Sequence, residues 1–277
     1  MELKREGGVK ETVALVVLLQ LLAGATAALP KCAGGRPVSL LFLGNSLFAE
    51  NNLPNLAAQT LRAGGCKVTV EAQTPSSYTL AQHAADINNP GSATAKLLGL
   101  HSGGRRWDYV VLQDQSQVPG LFMSPYQRAS TDGLRTLTAA ATAAGAKVLL
   151  YNTAAYRSGD PSNGAVFPNY KAMQDMLDRG YAAYKAAASP GATIIPVGAV
   201  YRRVFSDGGS NPNSAAFSAL YASDGKHPSP SGSYLGALMV AGAAGGGCVY
   251  GQAAPGGVVS KQQADYLQGA ACRTAKG

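Results

Sequence analysis

The sequence predicts an α/β protein, a three-layer α/β/α sandwich around a five-stranded parallel sheet. Apolar runs of strand length recur along the chain, and the stretches between them are long enough for crossover helices. The runs are rich in Val, Ile, Leu and Tyr and span 38–43, 67–72, 109–113, 147–152 and 193–197. Alternation of strands and helices in this manner is typical of a parallel sheet that is covered on both faces.

Proline and glycine mark where several of the crossover helices begin and end. Pro54 fits the first turn of a helix that runs to residue 61, and Gly64 and Gly65 follow it. Two further helices are predicted at 125–144 and 169–188, and Ser229 caps a fourth at 230–245. No internal repeat or long linker divides the chain, so residues 29–277 are predicted to form a single domain.

The first 28 residues differ in kind from the rest. Basic residues precede an apolar stretch at 13–22, and small residues follow at 25–27. This pattern predicts a signal peptide at 1–28 and a secreted or periplasmic protein. A membrane anchor is the alternative, but the apolar stretch is short for a bilayer, and no stable membrane insertion is expected after cleavage.

Four cysteines follow the predicted signal peptide, which favours two disulfides in an exported chain. Cys32 and Cys66 each precede a predicted strand, so both are expected at the amino edge of the sheet. Cys248 and Cys272 bracket the last helical region, and these two pairings are the favoured ones. A metal site is the competing interpretation, but there is no Cys-x-x-Cys spacing or nearby histidine, and no metal or other cofactor is expected.

The chain carries a net charge of +8, and loss of the predicted signal peptide leaves that charge unchanged. A basic balance could favour an anionic wall polymer or lipid surface, although solubility alone accounts for it equally well. The basic residues are scattered, and no basic run with interleaved aromatic residues indicates a nucleic-acid partner.

Two short motifs at opposite ends of the mature chain carry the candidate chemistry. The first, Gly44-Asn45-Ser46, follows the first strand, and the second runs from Asp224 to Pro228 and contains His227. Ser46 would lie beyond the carboxyl end of its strand, where ligands bind in open α/β sheets. A serine hydroxyl needs a base to take its proton, and the base needs an acceptor to orient it. Neither motif is specific alone, but together they predict a split serine-hydrolase site.

These two motifs resemble the SGNH or GDSL hydrolases, whose nucleophilic serine lies in an N-terminal Gly-Asp/Asn-Ser motif and whose Asp-x-x-His lies near the C-terminus. The resemblance spans most of the mature chain and implies a flavodoxin-like fold. It also implies that Ser46 is the nucleophile, His227 the general base and acid, and Asp224 the residue that orients the imidazole.

The oxyanion donors depart from the family pattern, which offers the serine amide, a glycine amide after the second strand and an asparagine side chain after the third. Ser77 stands at the glycine position, and its N–H group survives if the local φ suits a serine. Gln115 aligns with the asparagine, and Gln113 is the other possibility; alternatively, these glutamines only satisfy backbone groups at the strand end. Asn152, just past the fourth strand, could contact substrate or anchor its loop. His83 is expected to pack against the sheet.

The sequence therefore predicts a secreted serine ester hydrolase that works through an acyl-enzyme. A carbohydrate O-acetylesterase or short-chain esterase is the first expectation, with a small-molecule or polysaccharide ester as substrate. The alternatives are a lipase or lysophospholipase, an acyltransferase, and a polysaccharide-binding protein with a degraded site. The oligomeric state stays open.

Overall fold

The computed structural model describes residue 32 and residues 37–100, 106–188 and 191–276. The signal peptide predicted at 1–28 lies outside the described residues. The strands are β1 Val38–Leu43, β2 Val68–Gln73, β3 Tyr109–Leu112, β4 Lys147–Tyr151 and β5 Thr193–Ile195. The helices are α1 Ser46–Ala49, α2 Leu53–Ala63, α3 Leu80–Asp86, α4 Ala93–Leu98, α5 Pro125–Ala143, α6 Tyr170–Ala187, α7 Val197–Asp207, α8 Ala215–Ser218, α9 Pro230–Gly245 and α10 Lys261–Lys276.

The five strands form one parallel sheet in the order β2-β1-β3-β4-β5. Each predicted strand is present, with its ends shifted by no more than two residues. The largest shift is at β5, which stops at Ile195 instead of residue 197 because Pro196 has no N–H group for the ladder. The carboxyl ends of all five strands therefore meet at one edge.

Both faces of the sheet are buried, which confirms the predicted three-layer architecture. Within β1, Leu40 and Phe42 pack into one hydrophobic cluster, whereas Leu41 and Leu43 pack into the other. This alternation is the two-residue period of a strand, here apolar on both sides. Helices α2, α7, α9 and α10 cover the first face, and α3, α4, α5 and the second half of α6 cover the other.

Two disulfides cross-link segments outside the sheet, and both are the pairings that the sequence favoured. Cys32 bonds to Cys66, which joins the segment before β1 to the loop that enters β2. Cys248 bonds to Cys272, which joins the turn after α9 to α10. Among the helices that the structure describes, none is both long enough and apolar enough to cross a bilayer.

Candidate active site

Ser46 is the first residue of α1, directly beyond the carboxyl end of β1. Asn45 caps this helix, because its side-chain Oδ1 accepts a hydrogen bond from the Leu47 N–H at 3.1 Å. Gly44 has no room for a side chain, since a Cβ atom there would lie 2.6 Å from both Gln113 Oε1 and the Phe48 ring. The tight turn that presents Ser46 therefore depends on the glycine of the motif.

The structure brings the three residues of the predicted triad into one hydrogen-bonded chain. Ser46 Oγ lies 3.0 Å from His227 Nε2, and His227 Nδ1 lies 2.6 Å from Asp224 Oδ2. Because a carboxylate accepts at Nδ1, that nitrogen carries the proton, and Nε2 is left as the acceptor for the serine hydroxyl. This is the geometry that a general base requires.

Asp224 is held by its own loop. Its Oδ1 accepts from the backbone N–H groups of Lys226 at 2.9 Å and of His227 at 3.0 Å. Partial burial opposes ionisation of this carboxyl, but its hydrogen bonds from the His227 ring and from those two N–H groups outweigh burial and lower its pKa. Asp224 is therefore ionised at neutral pH and orients the imidazole.

The base loop is further fixed by backbone hydrogen bonds at both ends. Ala222 N–H donates to the His227 carbonyl at 2.8 Å, and Ser229 N–H donates to the Leu220 carbonyl at 3.0 Å. Ser229 then caps α9, as predicted, by accepting from the Gly232 N–H at 3.2 Å. His227 consequently stands on a short loop that a long helix supports.

A residue that the sequence analysis did not single out connects the segment after Ser46 to the segment after His227. Asn51, which follows α1, adopts a left-handed backbone with φ of 52°. Its side-chain amide donates to the Pro228 carbonyl and to Ser233 Oγ, both at 3.0 Å. The sequence signal for this left-handed turn was the pair Asn51-Asn52 before Pro54. Asparagine tolerates the left-handed backbone region better than most other non-glycine residues.

Ser77 occupies a left-handed backbone conformation, with φ of 59°, in the turn between Pro75 and Tyr78. This is the region that favours glycine, so the serine pays a conformational cost at the position where the family has glycine. Asn45 Nδ2 donates to the Tyr78 carbonyl at 2.9 Å and ties this turn to the nucleophile loop. Within the described residues, the Ser77 N–H donates to no protein acceptor.

The two candidate glutamines have different roles. Gln113 is fully buried; its Oε1 accepts from the Asn45 N–H at 3.0 Å and its Nε2 donates to the Asp114 carbonyl. Gln113 therefore fits the alternative that it satisfies backbone groups at the strand end, because its amide oxygen and nitrogen both bond to the main chain. Gln115 is half-buried, and its side-chain amide makes no hydrogen bond to any described residue.

Asp114 is a buried hub beneath these glutamines. Its carboxylate is fully buried and accepts from Leu80 N–H at 3.0 Å, Gln115 N–H at 2.8 Å, Ser130 Oγ at 3.1 Å and Tyr184 Oη at 2.6 Å. Burial raises the pKa of this carboxyl, and the four hydrogen bonds oppose that rise. The hub joins the turn after β3 to α3, α5 and α6, and so fixes the position of Gln115.

Asn152 lies after β4 but takes part in a different cluster. Its Nδ2 donates to Asp178 Oδ1 of α6 at 2.9 Å, and its carbonyl accepts from the Gly198 N–H at 3.0 Å. Asp178 is in turn paired with Arg202 at 2.7 Å. These contacts fit the alternative that Asn152 anchors its loop, because they tie the end of β4 to α6 and α7.

His83 packs as expected and also supports the nucleophile turn. It is fully buried, and its Nε2 donates to the Gly44 carbonyl at 2.8 Å, while Nδ1 lies 3.3 Å from Thr94 Oγ1. Burial lowers the pKa of His83, which favours the neutral ring.

A small cavity opens beside the triad. Leu47, Lys226 and Pro228 line it on the side of the nucleophile and base, and Tyr201 and Tyr221 line it on the other. Its volume is about 20 Å³, which is room for about one water molecule. The part of the chain that the structure describes contains no group of three or more His, Cys, Asp and Glu side chains that could hold a metal ion.

A flavodoxin-like α/β/α fold with Ser, His and Asp side chains meeting at the carboxyl edge of its sheet defines the class of the protein as hydrolase-like. No protein-family model and no curated protein sequence matches the chain. Solved structures do. A candidate SGNH hydrolase from Slackia heliotrinireducens is 30% identical, with a TM-score of 0.57, and the match covers 98% of that chain and 74% of this one. The protein belongs to the SGNH hydrolase superfamily.

Two more distant structures share the fold. A DUF4886 family protein from Bacteroides uniformis is 17% identical with a TM-score of 0.65, and the match covers 87% of this chain and 95% of the other. A lipase/acylhydrolase from Enterococcus faecalis is 16% identical with a TM-score of 0.54, and the match covers 76% of this chain and 96% of the other. At these identities the likeness concerns the fold alone.

Proposed function

We propose that the protein is a secreted serine esterase that removes short acyl groups, first of all acetyl groups, from a carbohydrate. The hydrogen-bonded chain from Ser46 through His227 to Asp224 carries this proposal. The two disulfides support export, because such bonds persist in oxidising compartments.

In the proposed mechanism, Ser46 Oγ attacks the ester carbonyl carbon while its proton moves to His227 Nε2. Collapse of the tetrahedral intermediate breaks the bond to the alcohol, which leaves with the proton from Nε2 and gives an acyl-enzyme. Water then repeats the sequence, giving its proton to Nε2, and the carboxylic acid departs as Ser46 recovers a proton.

Three donors are available for the developing oxyanion. The Ser46 N–H lies in the first turn of α1 and has no acceptor in the same helix, and the Ser77 N–H is free as described above. The third donor is the side-chain amide of Gln115, which carries the same N–H groups as an asparagine amide, one methylene further out. Preorganised donors of this kind contribute most to acyl transfer.

The size of the cavity beside Leu47 favours a short acyl group. A volume of about 20 Å³ suits a methyl group or a water molecule, so an acetyl group would fit there and a long acyl chain would have to lie elsewhere. This is the observation that ranks an acetylesterase above a lipase.

The test is release of 4-nitrophenol from acetate, butyrate and octanoate esters by the wild type, Ser46→Ala and the control Ser206→Ala. Ser206 is an exposed residue of α7, so its variant is expected to match the wild type. Ser46→Ala is expected to lower kcat by about 10⁴-fold or more. A wild type as inert as Ser46→Ala would favour the polysaccharide-binding alternative, and a preference for octanoate would favour the lipase.

A further inference from the structure

Two cationic side chains stand beside the base loop without a carboxylate partner. Arg157 and Lys226 form no ion pair with any carboxylate in the described part of the chain. The Arg157 N–H donates to the Gly225 carbonyl at 2.8 Å, so Arg157 is tied to the residue that precedes Lys226. Lys226 in turn directly precedes His227, so Lys226 stands on the loop that carries the base and Arg157 is bonded to the same loop.

The Arg157 guanidinium has an unmet demand for an acceptor. Its Nε is buried, yet no described group accepts a hydrogen bond from it. That Nε is enclosed against Gly225, but Arg157 as a whole is only half-buried, and the two Nη groups of a planar guanidinium are suited to bind a carboxylate with two parallel hydrogen bonds.

The nearby carboxylates are committed elsewhere. Asp224 accepts from the His227 ring and from two backbone N–H groups. Asp160 accepts from the Ser162 N–H at 3.1 Å and from Asn163 Nδ2 at 2.7 Å. Neither carboxylate pairs with Arg157 or Lys226, so an incoming anion would meet two cations whose partners are not supplied by the protein.

An aromatic ring positions Lys226. Its Nζ lies 5.3 Å from the centre of the Tyr156 ring, a cation–π distance. Tyr156 is buried, and its hydroxyl donates to Gln117 Oε1 at 3.0 Å, so the ring is held from below. Lys226 also shares the small cavity with Leu47, the neighbour of the nucleophile. Lys226 therefore lines the same cavity as the residue that follows Ser46.

We propose that Arg157 and Lys226 form an anion-binding subsite for the alcohol part of the ester, and that the substrate is an acetylated saccharide bearing a carboxylate. This inference rests on the proposed function. The small cavity beside Leu47 supports a saccharide over an anionic lipid, because a fatty acyl chain would not fit in it. The net charge of +8 acts in the same direction by attracting an acidic polymer.

The test compares two forms of one substrate, acetylated galacturonate oligosaccharides with a free carboxylate and the same oligosaccharides as neutral methyl esters. Acetate release is expected to show a kcat/KM about tenfold higher for the free carboxylate, mainly through KM, and to lose that preference at high salt. Arg157→Gln and Lys226→Gln are each expected to reduce the ratio between the two forms several-fold. Lys185→Gln, which changes an exposed residue of α6, is the control and keeps the wild-type ratio.

A binding measurement separates this inference from the proposed function. Titration of Ser46→Ala with both oligosaccharides is expected to give a Kd about tenfold lower for the free carboxylate, and the difference is expected to disappear in the double variants with Arg157→Gln or Lys226→Gln. Equal affinities, or no binding of either form, would overturn the subsite whether or not the wild type hydrolyses 4-nitrophenyl acetate. Binding of phosphatidylglycerol vesicles that depends on Arg157 or Lys226, without preference among the oligosaccharides, would also overturn it. Because Lys226 is exposed, Lys226→Gln keeps the test valid if Arg157→Gln does not fold.

Discussion

Substitution of Asn51 tests how the nucleophile and the base are held together. Asn51 combines a left-handed backbone with two side-chain hydrogen bonds to the segment around α9. Asn51→Gly removes the hydrogen bonds and keeps the backbone conformation, whereas Asn51→Ala removes the hydrogen bonds and also strains the backbone. The pair of variants therefore separates the two contributions.

The expected magnitudes follow from these contacts. Two hydrogen bonds at about 1 kcal/mol each give a loss of about 2 kcal/mol in unfolding free energy for Asn51→Gly. Alanine in the left-handed region costs about 1 kcal/mol more, so Asn51→Ala is expected to be the less stable of the two. We expect about 1.4 kcal/mol of this loss in unfolding free energy to come from the contact that positions His227 against Ser46. A loss of that size in the active geometry lowers kcat about tenfold. The decrease is expected to be the same in both variants, because both remove the same hydrogen bonds.

Urea denaturation followed by circular dichroism measures the stabilities, and hydrolysis of 4-nitrophenyl acetate gives kcat and KM. Asn52→Gly is the matched control, because Asn52 has φ of 51° and its side chain caps nothing. That control is expected to keep the wild-type kcat. An Asn51→Gly variant that loses stability but keeps kcat within twofold would refute the positioning role.

Three further predictions concern the surroundings of the site. Ser77→Gly is expected to leave kcat unchanged and to raise the unfolding free energy by up to about 1 kcal/mol, since it relieves the left-handed serine and keeps the N–H donor; a tenfold loss of kcat would instead implicate the side chain. In urea denaturation, Asp114→Ala is expected to lose about 4 kcal/mol or more because it strands several buried donors, whereas Asp114→Asn retains an acceptor oxygen and loses about 1 kcal/mol; equal losses would contradict the hub. The lowered pKa of neutral, buried His83 means that wild-type stability is full above the unfolded pKa of about 6.5 and falls as pH decreases from there toward the folded pKa. His83→Gln is therefore expected to flatten the dependence of unfolding free energy on pH between about 7 and 5, and an unchanged slope would count against it.

The sheet, and the contact of Ser46, His227 and Asp224, were predictable because the sequence signals for both are local. Buried parallel strands are continuous apolar runs, as in 38–43, and helix ends carry their own residues, as Ser229 and Pro230 do for α9. The Asp-x-x-His motif contains both Asp224 and His227 within one loop, so only its meeting with Ser46 depended on the fold. The end of β5 was also readable in principle, because Pro196 cannot extend the ladder.

The roles of the polar side chains near the site were not predictable, because they depend on partners that are distant in sequence. Asp114 is held by residues of three helices, and none of them is suggested by its own neighbours in the chain. Asn152 was placed correctly after β4, but its amide binds Asp178, which lies 26 residues further on. The side chain of an asparagine or glutamine has several accessible rotamers, and tertiary packing decides which of them is occupied.

Gly44 and Gln113 show how two motifs far apart in sequence act as one unit. The Gln113 amide oxygen is fixed by the Asn45 N–H, and it occupies the space where a side chain at residue 44 would begin. The glycine that precedes the nucleophile is therefore required by the glutamine after β3, as well as by the Phe48 ring. Since this contact keeps Gln113 inside the protein, Gln115, whose amide makes no hydrogen bond to a described residue, is our candidate for a side-chain donor to the oxyanion from the same turn. Gln115→Ala should accordingly weaken catalysis and leave the fold intact, whereas a smaller residue at 113 should release the turn that carries Ser46.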